Sequence, residues 1–149
     1  MFREGDIVEI PLPDGRVALG WLLFTSEVFK DIVGFVVFGI KGLSRRQEFV
    51  LEKALHVLGP LYTNIVALDH YGWRKVAHQR VSEAQRLLTK RDVGGSIYIG
   101  DRCIGSAVDG REPKLPPMLV MGMPAVYERI AKAFPVSGAA GQGCDADRG

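Results

Sequence analysis

Three histidines, His56, His70 and His78, and two cysteines, Cys103 and Cys144, are where metal or nucleophilic chemistry would have to begin. None stands in H-E-x-x-H, and no Cys/His pair has ligand spacing, so a metal centre would need residues far apart in the chain. His70 follows Asp69 and precedes Trp73, which would allow a base oriented by a carboxylate. The polar turn around it accounts for a histidine there without any reaction. Gly105-Ser106-Ala107 is not a nucleophile elbow, and Cys103, on a predicted strand, reads as a small buried hydrophobe. Glycines are plentiful, yet no G-x-x-x-x-G-K-[ST] occurs, and 94–110 never forms a G-x-G-x-x-G that opens a helix. Asp6 and Glu9 differ by an odd number of positions on one strand, which puts them on opposite faces and separates them as an acid pair. No catalytic residue, cofactor site or metal ligand is assigned, and the chain is expected not to be an enzyme.

The remaining chemistry is charge. The net value is only +2, but it is unevenly placed. Residues 1–31 carry Glu4, Asp6, Glu9, Asp14, Glu27 and Asp31 against Arg3, Arg16 and Lys30, a balance of −3, which leaves +5 for the remainder. Arg74, Lys75, Arg80, Arg86, Lys90 and Arg91 concentrate positive charge against Glu83 alone. With Tyr71 and Trp73 nearby, that segment could bind nucleic acid, although the pI of 8.6 falls short of the value above about 9 expected of a basic module.

These groups must be positioned by elements that the apolar pattern makes visible. Ile7 to Leu12 and Val17 to Leu23 flank Pro13-Asp14-Gly15-Arg16, a hairpin in which Pro presets a type I turn and Gly closes it. Val8, Ile10 and Leu12 share one face of the first strand; Val17, Leu19, Trp21 and Leu23 share one face of the second. Ile32 to Ile40 is apolar at both parities, as a strand covered on both faces should be, and Gly34 and Gly39 mark bends or bulges. A capping box at Ser44 predicts a helix from about Arg45 to Leu58. Leu61 to Leu68 reads as a strand, Asp69 to Gly72 as a turn, and Trp73 to Ala77 as a short strand. A second capping box, Ser82 to Gln85, opens a helix of about two turns that ends before Gly94-Gly95. Ser96 to Ile99 and Cys103 to Val108 flank Gly100-Asp101-Arg102 as a second hairpin, with Asp109-Gly110 as the next turn. Pro124 begins a closing helix whose Tyr127, Ile130, Ala131 and Phe134 recur at core spacing, and Pro135 ends it.

The 149 residues, 47% hydrophobic and 24% charged, suit one domain over 1–135, followed by a disordered tail over 136–149. The fold class is α+β, mainly a coiled antiparallel sheet or partial barrel with a C-terminal amphipathic helix. The opening Met1-Phe2-Arg3-Glu4 lacks the apolar core of a signal peptide, and the longest apolar run is too short to span a bilayer, so a cytoplasmic protein without membrane contact is expected.

Gly5-Asp6, then Ile10-Pro11-Leu12-Pro13-Asp14-Gly15 and Gly20, resembles the start of the immunity protein 26 family of bacterial polymorphic toxin systems. Gly72-Trp73-Arg74-Lys75-Val76, Ile97-Tyr98-Ile99-Gly100 and Ala125 to Ile130 fit the same family in order, over residues 2–134, while the basic Ser82 to Arg91 departs from its pattern. The resemblance implies a non-enzymatic protein that binds a cognate toxin domain and blocks it. On that reading Asp6, Glu9, Asp14 and Trp21 are expected to meet the partner, the acids facing a basic toxin surface. The alternative is a small nucleic-acid-binding module using Arg74 to Arg91.

Overall fold

The computed structural model describes residues 1–42, 58–106 and 115–136. The helix expected from Arg45 to Leu58 lies outside them except for Leu58, as do the Asp109-Gly110 turn and all of the expected tail beyond Val136.

The opening hairpin forms as its turn chemistry requires. Strands β1 (Asp6–Pro11) and β2 (Val17–Thr25) pair antiparallel, with Ile7 opposite Trp21 and Ile10 opposite Ala18. The Gly15 N–H donates to the Leu12 carbonyl at 3.0 Å, and the Leu12 N–H donates to the Arg16 carbonyl at 2.8 Å. Gly15, at φ 91°, is the left-handed residue that lets a type I turn close a hairpin.

On the far side of β2 lie β3 (Ile32–Ile40) and β4 (Leu61–Asn64), while β5 (Arg74–His78) pairs with β1, so the order is β4-β3-β2-β1-β5. As its double apolar parity predicts, β3 is an interior strand covered on both faces. Its two register shifts against β2 fall beside Gly39 and Gly34. A Cβ at Gly34 would stand 2.6 Å from Phe24 Cε1, so a side chain there would drive the Phe24 ring out of its place across β3. The sheet does not close into a barrel.

The strand expected over Leu61–Leu68 stops halfway. The Asn64 side chain accepts the Val66 N–H at 2.8 Å and so caps a short helix, α1 (Ile65–His70). Leu68 is thereby turned into the core instead of continuing along the sheet.

Next, the capping box at Ser82 forms with both of its hydrogen bonds, but α2 (Glu83–Arg86) gives way after one turn to a 3₁₀ turn over Leu87–Thr89. Thr89 Oγ1 donates to the Arg86 carbonyl at 2.8 Å and accepts the Gly100 N–H at 2.7 Å, which ends the helix against a distant turn. An unexpected strand follows, β6 (Arg91–Val93), joined by β7 (Ser96–Ile99) and β8 (Arg102–Ser106) in a second antiparallel sheet. The β7–β8 pair is the expected second hairpin.

Helix α3 (Met123–Ala133) has Pro124 in its first turn and ends at Phe134, ahead of Pro135. Its buried residues are Met123, Val126 and Ile130, with Tyr127 and Phe134 partly buried on the same core. Ala131, expected on that face, is exposed, because the N-terminal turn docks and rotates the buried stripe towards Met123. Among the described residues no helix is long and apolar enough to cross a membrane.

Two apolar clusters lie on opposite faces of the large sheet. One joins Val8, Ile10, Leu22, Phe35 and Trp73 to α3; the other joins Trp21, Leu23 and Val36 to Val81. Segment 116–121 ties the two sheets together. Asp92 exchanges main-chain hydrogen bonds with Pro116 and Met118, both 3.0 Å, and Met121 donates to the Tyr62 carbonyl at 2.9 Å. The segment thus covers the outer edges of β6 and β4. Among the described residues β5 and β8 have no strand beside their outer edges.

Candidate functional site

Two of the acids expected to face a partner, Asp6 and Glu9, are covered by cations brought to them by other strands. Asp6, on β1, is fully buried. It accepts the Arg3 N–H at 2.9 Å, His78 Nδ1 lies 2.8 Å away and Lys75 Nζ 3.2 Å away. Burial pushes this carboxyl up, but the contacts from His78, the Arg3 main chain and Lys75 together outweigh it and hold Asp6 below the usual carboxylate range. Gly5 makes the cluster possible. Its φ is 92°, and a Cβ there would stand 2.6 Å from the His78 ring.

Glu9, on the opposite face of β1, accepts from Lys41 Nζ at 2.5 Å and Arg74 Nη2 at 2.6 Å. Its side chain is 12% exposed, while those of Lys41 and Arg74 are 53% and 70% exposed. The bond from Lys41, then that from Arg74, lowers its pKa. Asp14 accepts from the Arg16 N–H at 3.0 Å and from Arg16 Nε at 2.8 Å, and Arg16 Nη1 donates to the Phe134 carbonyl at 2.6 Å. Asp14 therefore aims the arginine that satisfies the C-terminal end of α3. Trp21 is fully buried, and its Nε1 donates to the carbonyls of Gln79 at 2.9 Å and Gly5 at 3.2 Å.

Of the expected contact set of Asp6, Glu9, Asp14 and Trp21, Asp6 and Trp21 are corrected, because both are interior. Glu9 is 12% exposed beneath its two cations, and Asp14 stays 38% exposed in its pair with Arg16. What the β1–β5 edge of the sheet presents outward, on its two sides, is the opposite charge. Arg3 and Lys75, at 69% and 42% exposure, cover Asp6, while Lys41 and Arg74 cover Glu9. The −3 balance of residues 1–31 did not reveal this, because β3 and β5 bring the covering cations from positions 41, 74 and 75.

The second expected surface also separates. Arg74 and Lys75 stand on β5, and Arg80 is exposed just beyond it. Arg86 turns to Glu4 at 2.9 Å, Lys90 is half-buried, and Arg91 is wholly inside. Arg91 inserts its guanidinium among Phe24, Tyr62 and Phe29, at 4.9, 5.1 and 5.9 Å from the ring centroids. Its Nη1 donates to the carbonyls of Thr89 at 2.9 Å and Gly100 at 3.0 Å. Burial lowers the Arg91 pKa and pushes the Tyr62 hydroxyl up to about 12. Trp73 is buried edge-on to Phe35 at 5.1 Å, so it cannot stack on a base.

Cys103, expected to be buried, is exposed on β8. His70 packs edge-on against Tyr71 at 5.3 Å. Among the described residues no group of three or more His, Cys, Asp or Glu side chains could hold a metal. A cleft of about 560 Å³ is lined by Glu4, Arg86, Asp101 and Arg102 among others. Arg86 there is paired with Glu4, while Asp101 accepts from Ser26 Oγ and from the Glu27 N–H at 2.6 Å.

No family model, curated protein or solved structure matches the chain. The β1–β5 edge of the large sheet is the one place where exposed charge, buried counter-charge and an open strand edge coincide among the described residues. It is suited to binding an anionic surface without rearranging.

The Asp6 cluster has a testable pH signature. A carboxylate whose pKa is lowered by folding contributes stability in full above the ordinary value near 3.8, and that contribution is lost as pH falls through the folded value. Asp6→Asn is expected to cost about 2 kcal/mol at pH 7, the scale of hydrogen bonds to a buried charge. Urea midpoints measured from pH 7 to pH 2 should fall less steeply for Asp6→Asn below about pH 4 than for the wild type. Parallel curves would remove Asp6 from the acid sensitivity.

Proposed function

We propose that this protein neutralises a cognate bacterial toxin domain by binding it through the β1–β5 edge of the large sheet and covering its active cleft. The observation that carries this reading is the layered charge on the two sides of that edge, with Arg3 and Lys75 over Asp6 on one side and Lys41 and Arg74 over Glu9 on the other. Cations held by buried acids lose little side-chain freedom on docking, and their positive field speeds encounter with an acidic partner. The family resemblance supports the same edge. Two of its segments, Gly5-Asp6 and Trp73 to Val76, are far apart in sequence and are brought together by the paired strands β1 and β5, where Lys75 Nζ lies 3.2 Å from Asp6. A standard interface buries roughly 1,600 Å² in total, more than one strand provides, so neighbouring β1 and β2 surface takes part. Such a protein acts in the cytoplasm of the cell that makes the toxin.

Co-expression with a toxin domain encoded in the adjacent reading frame is expected to restore growth, and the two chains should co-elute as one complex. Failure to rescue or to bind any neighbouring toxin would count this reading out. The exposed cations also favour nucleic acid as a ligand. Mixed oligonucleotides titrated at about 50 and 200 mM salt should nevertheless show no salt-dependent affinity, because the six basic residues do not share one surface.

A further inference from the structure

We infer that the outer edge of β5 is the docking line of this site, and that its occupant is an extended acidic segment of the partner protein that adds to the large sheet as a sixth strand. This rests on the protein-binding reading above and specifies its mode. Of the two outer strands of the large sheet, β4 is covered by segment 116–121, whereas among the described residues β5 has no strand beside its outer edge. All five residues of β5 are exposed, and a bulge between Ile7 and Val8 offsets its register against β1. An open edge offers unpaired main-chain N–H and C=O groups, which a strand can satisfy and a nucleic acid cannot.

Charge identifies the strand. Arg74 and Lys75 contact Glu9 and Asp6, which lie on opposite faces of β1, so cations flank the edge on both sides. Arg80 continues the series just beyond the strand, and Val76 between them is 45% exposed. An incoming segment with carboxylates on both faces and an apolar residue between would be matched along its length. The same cations argue against a second copy of this chain, because pairing β5 with its own duplicate sets basic side chains against basic side chains. The β8 edge offers Arg102 alone as a charged group.

The test uses the full chain and a fluorescein-labelled octapeptide, Glu-Glu-Val-Glu-Glu-Val-Glu-Glu, which as a strand carries carboxylates on both faces. A second peptide, N-methylated at alternate residues, keeps the charge but loses the donors along one edge. The unmodified peptide is expected to bind at least about tenfold more tightly, with an affinity that falls as salt rises. Arg80→Glu, at a residue that makes no ion pair among the described residues, should weaken it about fivefold, and Arg74→Glu further. Amide exchange along β5 should slow on binding even if Arg74→Glu disturbs Glu9. Equal affinity for the two peptides, binding of neither, or preference for an oligothymidylate would each overturn strand addition. A toxin complex that persists alongside such a negative leaves neutralisation standing without this edge. Peptide binding with no toxin partner defeats neutralisation and not the edge.

Discussion

Arg91→Ala is expected to destabilise the protein by about 3–5 kcal/mol, whereas Arg91→Met should stay within about 1.5 kcal/mol of the wild type. The two differ because Arg91 fills space as well as carrying charge. Its side chain occupies the junction between β6 and the rings of Phe24, Phe29 and Tyr62, and alanine would leave that volume empty. The charge itself nearly cancels. Stacking on the rings and donating to two carbonyls favours it by a few kcal/mol, while removing a guanidinium from water costs several. Among the described residues no carboxylate lies within ion-pair distance of Arg91 to offset that cost. Methionine keeps most of the volume and removes both charge effects together. Guanidinium unfolding of the three proteins decides it. If methionine proves as damaging as alanine, the charge and not the packing holds the second sheet in place.

Trp21→Ala is expected to cost about 3–5 kcal/mol and Trp21→Phe about 1–3 kcal/mol. The alanine variant loses the centre of the smaller core, where Trp21 meets Leu23, Val36 and Val81. The phenylalanine variant keeps a ring but removes the indole N–H from the Gln79 carbonyl, while the Gly5 carbonyl keeps the Gln79 N–H at 2.8 Å. Because those carbonyls belong to the chain on either side of the Asp6 cluster, Trp21 also anchors the turn that delivers Arg80. The readouts are chemical denaturation and, on the folded fraction, binding of the Glu-Val peptide. Affinity should be unchanged in Trp21→Phe. Native stability with lost binding would return Trp21 to the interface.

The elements governed by neighbouring residues were legible in the sequence: the hairpin at Pro13-Gly15, the double-sided strand over Ile32–Ile40, the capping box at Ser82, and the helix opened by Pro124. Each follows from turn geometry, periodicity or a cap, and these act within a few residues. Where two signals competed, the outcome was not set by periodicity. At Asn64 one local signal beat another, since its side chain caps a helix two residues on and breaks an apolar run that reads as strand; at Thr89 a distant contact decided, its bond to Gly100 ending a helix that the capping box would have continued.

Charge shows the same division more sharply. The sequence alone determined how many acids and bases there are and which strands carry them. Only the tertiary structure decided which of them reach water. Asp6 and His78 are 72 positions apart and Glu9 and Arg74 are 65 apart, yet one ladder places each pair in contact. Arg91, on a basic stretch, went inside because rings from β2, the β2–β3 loop and β4 converge on it. A charge's exposure is set by what long-range strand pairing places above it, and the sign of a surface can therefore oppose the sign of the segment that forms it.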